Sequence, residues 1–491
     1  MNQGKDFGKG FGKALINKKK KQRSEPQEVP LELASNTKEN ELDDFLTKAS
    51  LDGTNFESEK LYVKFISTTT VMKKKYNILT AEEEGILMKR FDALKIKLRL
   101  PRRPKWNAEM TKEELHKLED DEFLAWRANL AEIEDQQQLL MTPFEKNLYV
   151  WKELWRVVEK GDLIVQIVDA RNPLLFRCKD LETYVLEVDS RKKNLLLVNK
   201  ADLLTRKQRD IWSDYFKEQK VDFIFFSAKG CEDENDVLDV DALVIELSRR
   251  CPAPLHPTEK NPKMKTVSFC GHPNVGKSST INAIVGTKKV TVSSTPGKTK
   301  HFQTLMISPE LCLCDCPGLV FPSFASTRAD MVVNGILPID HLTDFLSPVE
   351  IIVKRIPPAH LSKVYGLNVP TVPDSDDFLS VLAKARGFMR SGMGSPDTSR
   401  SARIVLKDYV DGKLVYGIPP PNYKEKFNFY DESGKVFAKE TLADQVDTEF
   451  FSPTPTVKAK AIGREATEDY TGQSTQLPQN SKKHYKGKKR K

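Results

Sequence analysis

The chain has 491 residues, enough for two or three domains. Apolar residues make up 39% and charged residues 30%, and the formal net charge is +9. This composition indicates long solvated segments around a central core, and the basic balance favours an anionic partner such as nucleic acid or a membrane surface. No apolar run is long enough to span a bilayer and no hydrophobic segment follows the basic N-terminus, so we expect no membrane partner and no secretory signal.

The seven cysteines are scattered without disulfide-like spacing, which is typical of a reducing compartment. Cys312, Cys314 and Cys316 alternate along a predicted strand. Because no cluster of Cys or His accompanies them, we interpret them as buried strand thiols, with metal ligation as the alternative.

The first third of the chain lacks β runs. Residues 1–40 are polar and Lys-rich, which predicts a disordered or partner-ordered tail. Residues 41–160 form a helical N-terminal region, with helices predicted over 81–98, from Glu122, and from Thr142-Pro143. Between them, Pro101-Arg102-Arg103-Pro104 with Trp106 is an extended basic stretch that contacts phosphates or bases, or else staples a neighbouring helix.

Five apolar β runs follow, and each leads into a polar motif. The runs are 163–168, 194–198, 221–226, 266–270 and 311–314, with helical patterns between them. This alternation predicts an α/β domain over 161–336, with a parallel sheet covered on both faces and a ligand beyond the carboxyl ends of its strands. Residues 337–450 predict a small helical C-terminal domain, and residues 451–491 a basic low-complexity tail.

The motif after the fourth run is Gly271-His272-Pro273-Asn274-Val275-Gly276-Lys277-Ser278, a phosphate loop that should open a helix. Its glycines let backbone N–H groups wrap a β-phosphate at the helix N-terminus. Lys277 would neutralise β- and γ-oxygens, and Ser278 would bind Mg²⁺. The residues predicted to contact the phosphates here are Gly271, Asn274, Val275, Gly276, Lys277, Ser278 and Ser279.

The remaining motifs complete a GTP site. Asp315-Cys316-Pro317-Gly318 supplies Asp315 for Mg²⁺ through water and the Gly318 N–H for the γ-phosphate. In Thr295-Pro296-Gly297-Lys298-Thr299, Thr299 is preferred over Thr295 as the Mg²⁺ ligand that senses the γ-phosphate.

Two earlier motifs read the base. In Asn199-Lys200-Ala201-Asp202, the Asp202 carboxylate can accept two hydrogen bonds from guanine, while Lys200 covers the base face. Ser227-Ala228-Lys229 adds a backbone donor to guanine O6. The catalytic contribution is assigned to Lys277, Thr299 and Gly318.

The order of these motifs is unusual, because the base-reading motifs precede the phosphate loop. An ordinary GTPase has the reverse order, so the sequence predicts a circularly permuted P-loop GTPase domain. The chain leaves that domain soon after Gly318. The loop from Asp315 to Gly318, which is the γ-phosphate sensor meant here, is therefore attached directly to the C-terminal domain. Our hypothesis is that ordering of this loop by GTP moves the C-terminal domain.

The chain resembles the circularly permuted YlqF/YawG-type GTPases, which share this order and the Asp169-Ala170-Arg171 element. Within that class it is most similar to the eukaryotic cytoplasmic large-subunit GTPase (Lsg) group. The stretches that carry this closer resemblance are residues 167–178, Asn199 to Leu204, Pro101 to Pro104 and Thr142 to Glu145.

The resemblance implies late cytoplasmic maturation of the 60S ribosomal subunit, with rRNA and ribosomal proteins as partners and release of a nuclear-export adaptor on GTP hydrolysis. A monomer is expected. One alternative is a nucleolar or mitochondrial ribosome-assembly GTPase. Another is a GTP-dependent RNA-binding scaffold that barely hydrolyses.

Two positions bear on hydrolysis. Leu319 stands where many GTPases carry a water-orienting glutamine, so we expect slow turnover that a group supplied in trans accelerates. Asn274 matches the position that helps similar GTPases bind K⁺, and the alternative is a loop hydrogen bond without an ion.

Overall fold

The computed structural model describes residues 98–107, 109–137, 141–230, 236–255, 257, 261–286, 303–323, 327–340, 342–367, 374–390, 394–421 and 423–428. Several predictions lie outside the described residues: the two tails, most of the helix over 81–98, and the segment that contains Thr295 and Thr299.

A six-stranded sheet forms the centre of the fold. Its strands are β1 (Leu163–Asp169), β2 (Lys193–Asn199), β3 (Phe223–Phe225), β4 (Lys265–Cys270), β5 (Gln303–Ser308) and β6 (Leu311–Asp315). They lie in the order β3-β2-β1-β4-β6-β5, and every neighbouring pair is parallel except β5 with β6. The predicted parallel sheet is confirmed, whereas the antiparallel edge strand β5 was not predicted.

Twelve α-helices occur within the described residues. They are α1 (Lys112–Gln137), α2 (Leu148–Lys160), α3 (Pro173–Phe176), α4 (Lys179–Val188), α5 (Arg206–Glu218), α6 (Val240–Arg250), α7 (Lys277–Val285), α8 (Arg328–Val333), α9 (Leu346–Arg355), α10 (Pro358–Tyr365), α11 (Ser375–Ala385) and α12 (Thr398–Asp411). None of these helices has both the length and the hydropathy needed to cross a bilayer.

The helix predicted to begin at Thr142 begins at Leu148 instead, with Asn147 as its N-cap. The preceding residues are extended because they pair with a distant segment. Thr142 donates from its backbone N–H (2.9 Å) and its Oγ1 (2.7 Å) to the Ser323 carbonyl. These bonds replace helical ones, so the predicted start was wrong. Both tryptophans of α2 are buried in the core, as predicted.

The basic stretch at 101–106 is held by acidic side chains of the chain itself. Arg102 Nη1 lies 2.6 Å from Asp180 Oδ2, and Arg103 Nη1 lies 2.5 Å from Glu159 Oε2. Trp106 donates from Nε1 to Glu159 Oε1 at 3.3 Å. Of the two interpretations of this stretch, the structure supports its attachment to neighbouring helices, since both guanidinium groups form ion pairs with acidic side chains of the chain itself.

The C-terminal helices share a hydrophobic core with the sheet. Val332 of α8, Val349 of α9 and Leu406 of α12 are buried in one cluster with Val165 of β1. The helical character predicted after residue 337 is present in the described residues. The domain boundaries proposed from the sequence stay predictions.

Cys312, Cys314 and Cys316 are all buried along β6 and just after it. Burial raises the pKa of the Cys314 thiol to about 12. Within the described residues no three His, Cys, Asp or Glu side chains are grouped so that they could hold a metal ion, which favours the interpretation as strand thiols.

Candidate nucleotide-binding site

Four sequence motifs lie at the carboxyl ends of four parallel strands of the sheet. Asn199 ends β2, Gly271 directly follows β4, Asp315 ends β6, and Ser227 comes two residues after β3. The carboxyl ends of parallel strands meet at one rim of the sheet, where α/β proteins bind their ligands. The structure therefore brings the base-reading and phosphate-binding motifs to the same rim.

A direct contact joins the two halves of this rim, the one with the base-reading motifs and the one with the phosphate-binding motifs. The Asn199 side chain is buried, and its Nδ2 donates to the Val275 carbonyl at 2.8 Å. Its Oδ1 is also buried and has no hydrogen-bond partner within the described residues. A buried amide oxygen without a partner is costly, so it indicates a position that a ligand donor can satisfy.

The side chains predicted to read guanine are also in contact. Ser227 Oγ donates to Asp202 Oδ1 at 2.6 Å, and the Lys229 N–H reaches Ser227 Oγ at 3.3 Å. Ala228 lies between them in the same turn, half-buried. This bond fixes one carboxylate oxygen of Asp202.

The phosphate loop leads into α7, whose first residue is Lys277. The Lys277 ammonium is buried and donates to the carbonyls of Gly271 (2.8 Å) and His272 (2.6 Å). Burial lowers its pKa, and the charge of Asp315 opposes that shift. Ser278 and Ser279 follow in the first turn and are half-buried. A helix N-terminus with a caged ammonium is the arrangement that binds phosphates.

Gly276 is needed for the contact between the two halves. Its φ is +95°, and a Cβ there would lie 2.3 Å from Asn199 Nδ2. We expect Gly276→Ala to lower the affinity for GDP by about a hundredfold, because both the strained φ and the displaced Asn199 act on the pocket. Titration calorimetry with GDP measures this loss.

Gly286→Ala is the matched control, since Gly286 ends the same helix with φ +69° and a Cβ there would have nothing within 4 Å. It should cost about 1 kcal/mol of stability and leave GDP affinity unchanged. Equal losses of GDP affinity in the two variants would contradict the role given to Gly276.

Asp315 meets the requirement for a Mg²⁺ site. Both carboxylate oxygens are buried and lack a hydrogen-bond partner within the described residues. Burial raises the Asp315 pKa to about 6, and the Lys277 charge counteracts this. A buried carboxylate of this kind is stabilised by a cation, so the residues present fit the metal. Ser278 would be the second protein ligand.

The Asp315 loop lies against the phosphate loop. Leu319 donates its N–H to the Gly271 carbonyl at 3.2 Å, and a Cβ on Gly318 would come 3.3 Å from Lys277 Nζ. Pro317 is buried between Asp315 and Gly318. The Gly318 backbone therefore lies beside the ammonium that would hold the γ-phosphate. Thr299, the third predicted Mg²⁺ ligand, lies outside the described residues, as does Thr295.

Residues beyond the predicted set also shape the site. His272 packs edge-on against Phe176 and Phe321, and burial lowers its pKa to about 3, with Lys277 acting in the same direction. The imidazole is thus neutral, and these aromatic contacts hold its position in the phosphate loop. Asp169 and Arg171 lie at the end of β1 on the same rim. Their position after an apolar run was the available sequence signal for a site role.

A parallel sheet with a phosphate loop and a guanine-reading motif on one rim defines a P-loop GTPase. Because the base-reading strands β2 and β3 precede the phosphate-binding strand β4 in the chain, this GTPase is circularly permuted.

The chain is similar to several known proteins. Residues 266–353 match the family model described as 50S ribosome-binding GTPase. Large subunit GTPase 1 of Schizosaccharomyces pombe is 44% identical, over 85% of this chain and 72% of that protein. The Saccharomyces cerevisiae protein of the same name is 42% identical, over 84% and 72%. Large subunit GTPase 1 homolog of Homo sapiens is 38% identical, over 85% and 80%. Among solved structures, GNP-bound YlqF from T. maritima has 21% identity and a TM-score of 0.39, and the match covers 56% of this chain and 99% of that one.

The chain belongs to the Large subunit GTPase 1 family. The resemblance inferred from the sequence is thereby confirmed. The protein is a GTPase, and its site takes GTP with Mg²⁺.

Proposed function

We propose that this GTPase acts on the 60S ribosomal subunit during late cytoplasmic maturation, and that GTP hydrolysis releases a nuclear-export adaptor. The observation that carries the proposal is the meeting of the predicted base-reading and phosphate-binding motifs at one rim, in a chain whose relatives are named for the large subunit over most of its length. Its partners are rRNA and ribosomal proteins, and it acts as a monomer.

The nucleotide contacts are part of the proposal. Asp202 and Ser227 select guanine, Lys277 and the loop from Gly271 to Ser279 hold the phosphates, and Asp315 with Ser278 holds Mg²⁺. Two observations support this assignment: the buried oxygens of Asn199 and Asp315 lack partners within the described residues, and Gly276 leaves no room for a side chain.

Leu319 supports slow turnover in the free protein. Its side chain is 1% exposed and packs in the cluster that contains Trp151 and Phe321. An apolar, buried side chain cannot orient a water molecule toward the γ-phosphate, so the missing group has to come from elsewhere. On this proposal, the ribosomal particle supplies it.

The proposed site of action has a direct biochemical test. We expect 60S subunits to raise the GTP turnover rate by about a hundredfold or more, the scale of groups supplied in trans. Phosphate release is measured with 60S subunits, with 40S subunits as the control, and with neither. Turnover that 60S subunits leave unchanged would favour the alternative of a GTP-dependent RNA-binding scaffold.

The same assay in potassium and in sodium addresses Asn274. Its Nδ2 donates to the Gly335 carbonyl at 2.7 Å, so the amide group takes part in a loop hydrogen bond. K⁺ binding by Asn274 remains a proposal, and equal rates in the two salts would exclude it.

Fractionation of cells would separate cytoplasmic action from the nucleolar and mitochondrial alternatives.

A further inference from the structure

A buried ion pair lies at the end of β1, beside the base-reading motif. Arg171 Nη2 lies 2.7 Å from Asp169 Oδ2, and Arg171 Nε lies 3.0 Å from Asp169 Oδ1. Both side chains are at most 6% exposed. Buried charges persist only where partners satisfy them, so each of these groups depends on the other.

The Asp169 carboxylate of this pair also contacts Lys200, the lysine of the base-reading motif. Lys200 Nζ lies 2.9 Å from Asp169 Oδ2, the same oxygen that Arg171 Nη2 contacts. Lys200 has φ +59°, an uncommon conformation for a lysine, and it directly follows Asn199. A flexible lysine stem is thus fixed at both ends, by its backbone and by Asp169.

The guanidinium of Arg171 extends this group to the last turn of α12. It donates to the carbonyl of Tyr409 at 2.5 Å and to that of Val410 at 3.2 Å. The last carbonyls of a helix lack partners within the helix and carry partial negative charge. The Tyr409 carbonyl also accepts from the Gly412 N–H at 3.3 Å, so Arg171 adds a second donor there while it contacts the carboxylate of Asp169.

We propose that Asp169 and Arg171 are positioning residues for the guanine ring, which hold Lys200 at the base and tie it to the last turn of α12. The inference rests on the proposed placement of guanine against Lys200. A simple helix cap would explain the bonds to Tyr409 and Val410, but it gives no reason for Lys200 to share the Asp169 oxygen. Because Lys200 and Arg171 contact the same Asp169 oxygen, the contact with α12 and the contact with the base are coupled.

The test is a double-mutant cycle on the full chain with GDP as the probe. Arg171→Lys and Lys200→Ala are each expected to weaken GDP binding by about tenfold. Because Arg171 acts through Lys200, the double variant should bind GDP no more weakly than Lys200→Ala by itself. Asp169→Asn, which keeps the side-chain shape, is the second route to the same loss. Thermal melting of each variant records stability separately.

Arg177→Lys is the matched control. Arg177 forms a similar two-bond pair with Glu182, at 2.7 and 2.8 Å, away from the nucleotide rim. It should lower the melting temperature without changing GDP affinity. Losses that multiply to about a hundredfold in the Arg171 and Lys200 double variant would overturn the proposal. The proposal would also be overturned if Arg171→Lys lowered the melting temperature but left GDP affinity unchanged, as the control is expected to do. Lys200→Ala with normal GDP affinity would instead overturn the guanine placement itself.

Discussion

Lys277→Ala should lower the affinity for GTP by about a thousandfold. The ammonium is buried at the start of α7 and donates to the carbonyls of Gly271 and His272. Two charge-assisted hydrogen bonds to β- and γ-oxygens contribute about 4 kcal/mol together, which corresponds to that factor. Titration calorimetry with a non-hydrolysable GTP analogue measures the change.

Lys265→Ala is the control for this prediction. Lys265 begins β4, the strand that leads into the phosphate loop, and its ammonium donates to the Ser248 carbonyl at the opposite end. Nucleotide affinity in this variant should match that of the unaltered protein. If both lysine variants lost affinity to the same degree, the effect would come from the strand rather than from the phosphate contact.

Much of the rim was predictable from the sequence for a simple reason. Runs such as 163–168 and 194–198 are nearly continuous in apolar residues, which is typical of a parallel sheet covered on both faces. A polar motif that follows such a run lies at the carboxyl end of its strand. Asn199, Gly271 and Asp315 therefore had to share one rim once the strands were identified.

The edge strand and one helix start were not predictable in this way. Gln303–Ser308 alternates between exposed and half-buried residues, and its pairing depends on β6. Thr142-Pro143 has the local signature of a helix start, but Ser323, 181 residues away, takes its hydrogen bonds. A contact at that distance in the chain has no local pattern to reveal it, and it overrides the local preference.

The links between motifs were hidden for the same reason. Asn199 bonds to Val275 across 76 residues, and Arg171 bonds to Tyr409 across 238 residues. The second bond bears on the hypothesis that GTP moves the C-terminal region. It attaches α12 to the base side of the pocket, while the bond from Asn274 to Gly335 attaches the phosphate loop to the segment after α8. The region that follows the γ-phosphate sensor thus contacts both halves of the site.

Asp202→Asn should convert the site from guanosine to xanthosine nucleotides. Ser227 Oγ donates to Asp202 Oδ1 at 2.6 Å, which fixes the orientation of the carboxylate. Guanine presents two donors to that group, whereas an asparagine amide places an N–H₂ against the exocyclic amine of guanine. Xanthine has a carbonyl oxygen at that position and accepts from the same amide.

We expect GTP affinity to fall by about a thousandfold, since a site built to hydrogen-bond a ligand group strongly rejects a ligand that leaves the bond unmade. Affinity for XTP should rise in the same variant, and competition binding with the two nucleotides gives the ratio directly. Asp210→Asn, on the exposed face of α5, is the matched control and should keep its preference for GTP. A variant at position 202 that still bound GTP tightly and rejected XTP would place the base elsewhere on the rim. The contact between Asn199 and Val275 would then align the phosphate loop without a guanine pocket beside it.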